Sequence, residues 1–224
     1  MTQYVINGGA PLRGSIQIGG AKNAALAILP AALLAEGECI IENLPEVTDV
    51  TLMLEMMREV GAEVRMIDSH TVAINSEGVR VDRIAPYDQA RRMRASYYLI
   101  GAFLGRFGSA QVPMPGGCDL GVRPIDQHVK GFEFLGAEVQ VKAGFFHANA
   151  KAGYLTGSSI YLDVASVGAT INIMLAAAMA DGETIIENAA REPHVVDLAS
   201  FLNSMGAEVK EREPTSSRSE AKSV

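Results

Sequence analysis

The sequence predicts an α/β protein of three repeated units, with the helices inside and the sheets outside. The tetrapeptide Gly-Ala-Glu-Val begins at Gly61, Gly136 and Gly206, so its copies are 75 and 70 residues apart. Residues 35–43, Ala-Glu-Gly-Glu-Cys-Ile-Ile-Glu-Asn, closely match residues 180–188, and the middle copy is more divergent. The two long matching segments, together with the Gly-Ala-Glu-Val tetrapeptide of the middle copy, favour duplication of one ancestral unit over coincidence.

Each unit opens with a segment of helical length that is rich in Ala, Leu or Met, at residues 23–34, 95–104 and 169–180. A glycine follows each segment, as expected just past a helix C-terminus. A short run such as Ile40-Ile41 or Ile185-Ile186 then predicts a strand. Because these first helices are apolar on every face, we expect them to form the core.

A second, amphipathic helix is predicted over residues 49–60, 126–135 and 197–205, each beginning at an Asp that is a plausible cap. Alternating patterns after the first two helices predict β-hairpins over residues 64–74 and 139–148. No such pattern follows Lys210, where the composition is that of a solvated tail. Either this is a genuine tail or the chain is artificially ended, and the interrupted repeat favours the second reading.

The overall composition excludes several classes of protein. A net charge of −7 argues against a general nucleic-acid binder, and residues 1–5 do not begin a signal peptide. The longest apolar stretch, residues 24–35, contains Pro30 and is too short to span a bilayer. Two cysteines make a disulfide framework improbable, so we expect a cytoplasmic protein. The four histidines have no metal-ligand spacing.

Several predicted helix starts carry residues suited to anions. Lys22 and Asn23 end a Gly-Gly-Ala-Lys-Asn turn, although a glycine turn with a solvent-facing Lys is the commoner case. The segment Ser-Val-Gly-Ala-Thr at 166–170 precedes the third unit's helix, and Arg94 precedes the second unit's. If the three units point their helix starts at one place, these residues form a single polyanion site.

A glycine-rich loop carries the candidate reactive thiol. Cys118 lies among three glycines, and Arg123-Pro124 follows shortly before a predicted helix, so the thiol is exposed and near a cation. Cys39 lies in an apolar strand and is expected to be inert. His128 is close to the loop in sequence, but we interpret it as a surface histidine on a helix.

Taken together, these motifs and Ile-Ile-Glu-Asn-Ala-Ala-Arg-Glu-Pro at 185–193 resemble UDP-N-acetylglucosamine 1-carboxyvinyltransferases, which are enolpyruvyl transferases. The resemblance covers roughly residues 3–210. Enolpyruvylshikimate-phosphate synthases share the repeat architecture, but the Gly-Gly-Cys-Asp loop favours the sugar-nucleotide family. The resemblance implies an inside-out α/β barrel and transfer of the enolpyruvyl group of phosphoenolpyruvate to the sugar 3-hydroxyl. That reaction releases phosphate and is the first committed step of peptidoglycan synthesis.

The resemblance also implies roles for individual residues. Cys118 is the implied general acid. The residues implied to bind phosphoenolpyruvate are Lys22, Asn23 and Arg123. The residues implied for the UDP-sugar are Arg94, Arg123, Pro124, Ile125, Asp126, Gln127, Ser166, Val167 and Gly168. Some relatives carry a Lys where Val164 stands here. No metal or organic cofactor, nucleic acid or membrane is implied.

The resemblance further divides the chain into three parts. Residues 1–18 form a strand segment expected to pair with a second domain, residues 19–210 form the UDP-sugar-binding domain, and residues 211–224 form a polar tail. The family's second domain supplies a base Asp and another Arg that we expect beyond residue 224. Two alternatives stay open: an inactive or binding-only copy, and an enzyme similar to enolpyruvylshikimate-phosphate synthase.

Overall fold

The structure is a computed structural model that describes residues 3–9, 11, 13–81, 94–114 and 125–211, with only the backbone of Arg94. Among the described residues at 3–9, 11 and 13–21 there is no helix or strand, and most of these side chains are exposed. Tyr4 is 90% exposed and Ile18 is 86% exposed. The apolar side chains of this N-terminal segment therefore pack against little of the described chain.

The first unit contains two helices and a three-stranded antiparallel sheet. Its strand order is β1-β3-β2, and the predicted hairpin is confirmed as β2 and β3. A 3-10 turn over Ala32–Leu34 extends the first helix. The elements are α1 (Lys22–Ala31), β1 (Glu38–Ile41), α2 (Thr48–Glu59), β2 (Glu63–Met66) and β3 (Val72–Asn75).

The second unit repeats this order and topology. Its sheet is again antiparallel, with strand order β4-β6-β5, and the second predicted hairpin is confirmed as β5 and β6. A 3-10 turn over Arg94–Tyr97 leads into its first helix. The elements are α3 (Tyr98–Phe107), β4 (Ser109–Pro113), α4 (Asp126–Phe134), β5 (Ala137–Lys142) and β6 (Phe145–Ala150).

The third unit has two helices but a different sheet. Strands β7 (Ser159–Tyr161) and β8 (Ile185–Glu187) pair in parallel, and the described residues after Ser204 form no strand. Its helices are α5 (Val167–Ala177) and α6 (Pro193–Ser204). The predicted start of α6 at residue 197 is wrong, because Pro193 fits the first turn of a helix and the chain turns helical there.

The predicted aspartate caps are also wrong. Asp49 and Asp126 lie in the first turns of α2 and α4, after N-cap residues that make no side-chain cap hydrogen bond, and Asp197 lies inside α6. A carboxylate in the first turn still interacts favourably with the helix dipole. The cap-like sequence signal therefore reflects electrostatics and not a capping hydrogen bond.

The core consists mainly of helix, with the sheets outside it. Helix α5 is buried from Ala169 to Ala176, and it packs against α3, α4 and α6. Small residues allow the close approach: a Cβ atom at Gly105 would lie 2.9 Å from the carbonyl oxygen of Leu175. The sheets turn side chains such as Ile74 and Phe146 inward, whereas Val141 on the outer side is 53% exposed.

The central helices run parallel to one another. Along α3, Gly101 faces Asn172 and Gly105 faces Leu175, so α3 and α5 advance in the same direction. At the other end, the guanidinium of Arg106 near the end of α3 donates to the carbonyl of Leu33 at 2.6 Å, just beyond α1. Helices α1, α3 and α5 therefore begin at one end of the core. No helix in the described parts of the chain is long and apolar enough to cross a membrane.

Candidate functional site

The described helices all begin at one end of the core, as the contacts between neighbouring helix starts show. Lys22 at the start of α1 pairs with Asp49 at the start of α2. The rings of Tyr97, just before α3, and His128, in α4, have centroids 5.8 Å apart. The hydroxyl of Thr170 in α5 accepts from the backbone N–H of Ala190, shortly before α6, at 3.0 Å.

This arrangement confirms the geometry assumed from the sequence. The N-terminus of a helix presents unpaired N–H groups and the positive end of the helix dipole. Several such ends on one side of a domain attract an anionic ligand even in an acidic protein. The helix-start end is therefore the candidate site.

Lys22 and Asn23 are the first two residues of α1, and both side chains are exposed. The Lys22 ammonium lies 2.8 Å from the Asp49 carboxylate, and the two side chains are 50% and 35% exposed. The turn before them needs a glycine, because a Cβ atom at Gly20 would overlap the carbonyl oxygen of Asn43. A half-exposed pair of this kind is worth at most about 1 kcal/mol, so the ammonium can exchange Asp49 for an anion.

The start of α5 carries Ser166, Val167 and Gly168, as the sequence predicted. Ser166 is the N-cap, and its hydroxyl accepts from the backbone N–H of Ala169 at 3.4 Å. The three residues are half-buried, whereas Val164 before them is 66% exposed. Asn172 connects this turn to α3, since its amide donates to the Gly168 carbonyl at 3.2 Å and accepts from the Gly101 N–H at 2.9 Å.

The start of α4 brings Ile125, Asp126 and Gln127 to the same end. Asp126 is exposed, Ile125 is half-buried and Gln127 is buried. The Gln127 side chain is fully engaged within the protein: its oxygen accepts from the Asp163 N–H at 2.9 Å, and its nitrogen donates to the Asp126 and Asp163 carboxylates at 3.1 and 3.2 Å.

Lys130, one turn further along α4, reaches the same Asp163 carboxylate. The ammonium donates to both oxygens, at 2.8 and 2.9 Å. These bonds, followed by the Gln127 bond, hold the pKa of Asp163 below its ordinary value. The sequence contained no signal for this contact, because Lys130 and Asp163 are distant in the chain.

The interpretation of His128 as a surface residue is wrong. His128 is only 9% exposed, because it lies between α4 and the start of α5, where a Cβ atom at Gly168 would be 3.1 Å from its Nε2 atom. Burial lowers the pKa of His128 to about 4, although the nearby charge of Asp126 raises it. Its Nδ1 atom is buried and has no hydrogen-bond partner in the described part of the protein. The imidazole is therefore neutral at pH 7.

Three other predicted site residues, Cys118, Arg123 and Pro124, lie outside the described residues. Arg94 begins the 3-10 turn before α3, which places its backbone at the candidate end. Cys39 lies in strand β1, as predicted, and is half-buried with its sulfur 3.9 Å from that of Met205. Burial raises the pKa of the Cys39 thiol, which favours its protonated form, and its inertness stays a prediction.

Neither of the two best-formed hollows found lies over the helix starts of α4 and α5. The larger, of about 510 Å³, is lined mainly by residues 44–54 with Arg58, Met66 and Ser69. This hollow borders the start of α2, which also lies at the helix-start end of the core. Within the described ranges, no cluster of three His, Cys, Asp or Glu residues could hold a metal ion.

Comparison with known proteins gives the site its context. A family model described as EPSP synthase (3-phosphoshikimate 1-carboxyvinyltransferase) matches residues 6–221. The chain is 55% identical over 210 residues to UDP-N-acetylglucosamine 1-carboxyvinyltransferase 3 of Caldanaerobacter subterraneus subsp. tengcongensis, covering 94% of this chain and 49% of the relative. It is 49% identical over 210 residues to UDP-N-acetylglucosamine 1-carboxyvinyltransferase 2 of Bacillus subtilis, covering 94% and 48%.

The chain spans about half the length of the curated relatives it matches. Among solved structures, the enolpyruvyl transferase NikO from Streptomyces tendae is similar with a TM-score of 0.76 at 24% identity, covering 92% of this chain and 48% of that one. EPSP synthase from Acinetobacter baumannii has a TM-score of 0.68 at 20% identity, covering 89% and 45%. The fold is therefore the α/β fold of these transferases, and the resemblance seen in the sequence is confirmed.

Proposed function

Because the chain belongs to the EPSP synthase family, we propose that it carries the UDP-sugar-binding part of an enolpyruvyl transferase. The proposed reaction moves the enolpyruvyl group of phosphoenolpyruvate onto the 3-hydroxyl of UDP-N-acetylglucosamine and releases phosphate. The observation that carries this choice is the 49–55% identity to relatives named for that activity. The gathered helix starts support it, because both substrates are anionic.

In this proposal the fold is an inside-out α/β barrel of three units over residues 19–210. The parallel helices α1, α3 and α5 in the core and the matching sheets of the first two units support that description. Residues 1–18 pair with a second domain, which fits the exposure of Tyr4, Ile16 and Ile18. We propose residues 211–224 as a polar tail outside this domain, although the family match continues to residue 221.

The proposed ligand contacts follow the helix starts. The UDP-sugar lies against Arg94, Arg123, Pro124 and the first residues of α4, with its diphosphate at Ser166, Val167 and Gly168. Phosphoenolpyruvate is held by Lys22 and Arg123, with Asn23 beside the sugar. A helix N-terminus and a nearby cation are the usual means of binding phosphate in proteins.

The proposed chemistry is an addition followed by an elimination. In the addition, the sugar hydroxyl oxygen bonds to the enol carbon while an acid protonates the methylene carbon and a base takes the hydroxyl proton. In the elimination, phosphate leaves and the new methyl group loses a proton, which restores the enol double bond. We assign the acid to Cys118, and we place the base in the part of the relatives that this chain does not match. Neither step needs a metal or an organic cofactor. The proposed setting is the cytoplasmic start of peptidoglycan synthesis, important for cell shape and division.

A thiol-labelling experiment tests the acid assignment. We expect a small thiol reagent to modify Cys118 well before Cys39, because burial raises the pKa of the Cys39 thiol. In the complete enzyme, the epoxide fosfomycin is expected to label Cys118 as well. Faster labelling of Cys39 in the folded protein would contradict the assignment.

The second candidate is a binding-only protein, because the gathered helix starts would also serve to hold an anionic ligand without chemistry. The deciding experiment measures phosphate release from phosphoenolpyruvate and UDP-N-acetylglucosamine. The 224-residue chain is assayed alone and after addition of the unmatched part of a relative. We expect no release by the chain alone and release after addition. Binding of UDP-N-acetylglucosamine without release in either mixture supports the binding-only candidate, and absence of both refutes the proposed function.

A further inference from the structure

A polar clamp joins the start of α4 to the loop before α5. It consists of Gln127, Lys130 and Asp163, and every bond in it is between described residues. Gln127 accepts from the Asp163 backbone and donates to the Asp163 carboxylate, so one side chain holds both the main chain and the side chain of residue 163. Lys130 neutralises the carboxylate at 2.8 Å.

The clamp acts on a segment that leads directly into the candidate site. Asp163 is three residues before Ser166, the N-cap of α5, and the intervening Val164 and Ala165 are exposed. These two residues therefore have little packing of their own to fix the path of the loop. On the other side of the same junction, the His128 ring lies against Gly168. The polar clamp and this ring contact together fix the α5 start relative to α4.

We infer that Gln127 is a positioning residue, which orders the Ser166–Gly168 turn through the clamp and does not bind a ligand with its side chain. The reason is that Gln127 is only 8% exposed and both ends of its amide already have partners inside the protein. Both N–H groups of this amide already donate to carboxylates, so donating to a ligand would require breaking one of those bonds. The effect on the UDP-sugar rests on the proposed function, whereas the effect on loop order does not.

The chain offers a matched pair of variants. Gln127→Glu keeps the size and the acceptor oxygen but places a third carboxylate beside Asp126 and Asp163, which opens the clamp by repulsion. Adding Asp163→Asn restores a donor opposite the new carboxylate, so the double variant is expected to close the clamp again. The control is Gln140→Glu, where an exposed Gln on strand β5 also donates to a carboxylate, that of Glu138, at 2.9 Å.

The first measurement is hydrogen exchange of the backbone amides in residues 162–170 of the 224-residue protein. We expect roughly tenfold faster exchange there in Gln127→Glu, near-parental exchange in the double variant and no change in the control. Unchanged exchange in Gln127→Glu, or equal acceleration in Gln140→Glu, overturns the inference. Should Gln127→Glu fail to fold, Lys130→Gln removes only the partly exposed ammonium and is expected to shift exchange in the same direction.

The second measurement is titration with UDP. We expect weaker binding by Gln127→Glu and recovery in the double variant, in parallel with hydrogen exchange. Weaker binding with unchanged exchange, and no recovery in the double variant, would show that the amide contacts the ligand directly and would overturn the inference. If the parental chain does not bind UDP but the exchange results are as expected, the proposed function fails while the clamp stands as a device that orders the loop.

Discussion

The two sides of the candidate site are built differently. At the start of α1, Lys22 and Asp49 form an ion pair that is half-exposed and held by a single contact. At the junction of α4 and α5, buried Gln127, buried His128 and the tightly approached Gly168 fix the backbone from several directions. The Lys22–Asp49 pair can exchange one partner for another at little cost in free energy, whereas the contacts at the junction of α4 and α5 cannot.

This difference indicates a division of tasks under the proposed function. A cation that must release its protein partner to bind phosphoenolpyruvate belongs on the exchangeable side. Backbone N–H groups that hold a diphosphate gain from being fixed in advance, because no ordering is then needed on binding.

The largest expected effect is a loss of stability of the rigid junction in mild acid. The pKa of His128 is about 4 in the folded chain and ordinarily 6.5, so its contribution is complete above pH 6.5 and is lost as the pH falls toward 4. A shift of this size corresponds to about 3 kcal/mol of unfolding free energy. Urea unfolding at several pH values between about 7 and 4.5 measures it.

The control for this prediction is a non-titrating side chain at the same position. In His128→Leu we expect the fall in unfolding free energy between pH 6.5 and 4 to be smaller than in the parent chain, because Leu does not titrate. Asp163 does not interfere, because its pKa is lowered from 3.8 and its contribution is lost only at still lower pH. An equal slope in His128→Leu and the parent would show that the buried imidazole is not the cause.

A smaller loss of unfolding free energy is expected when a methyl group is added at Gly168, against the imidazole of His128. In Gly168→Ala the new Cβ atom lies 3.1 Å from His128 Nε2, so the junction must open by a few tenths of an ångström. We expect a net loss of about 1 kcal/mol of unfolding free energy, because strain exceeds the gain from replacing a glycine. Denaturant unfolding measures the loss.

A double-mutant cycle separates the contact from other causes. With His128→Ala in the background, Gly168→Ala is expected to cost clearly less, since the ring that resists the methyl group is gone. The matched control is Gly8→Ala, where a Cβ atom meets nothing within 4 Å. The same cost for Gly168→Ala in both backgrounds would show that His128 does not set the spacing.

The sequence predicted the helices and the two hairpins because their signals are local and repeated. The antiparallel strands β5 and β6 lie next to each other in the chain and alternate clearly. Strand β8 was predicted at Ile185-Ile186, but β7 and its parallel pairing with β8 were not, since Ser159 pairs with the distant Ile185 and no turn signal joins the two strands.

The site was predictable where a helix start carries its own motif, as at Lys22 and Ser166. It was not predictable where packing decides the role of a side chain. His128 was misassigned because α4 is packed against α5 by way of Gly131 and Gly168, which turns the histidine inward. The partners of Lys22 and Lys130 lie 27 and 33 residues away, and periodicity gives no information about them.

The smallest stability effect, and the sharpest test of the comparison, concerns the exchangeable pair. Lys22→Gln and Asp49→Asn are each expected to lower the unfolding free energy by less than about 1 kcal/mol, because the pair is half-exposed. Their effects on anion binding should have opposite signs. Lys22→Gln removes the cation and weakens binding of phosphoenolpyruvate, whereas Asp49→Asn frees the ammonium and strengthens it. Titration with phosphoenolpyruvate at low salt measures both, with Lys210→Gln, from the exposed Lys210–Glu208 pair, as the control. Equal binding by all three variants would place Lys22 among ordinary surface charges and remove the distinction between the two sides of the site.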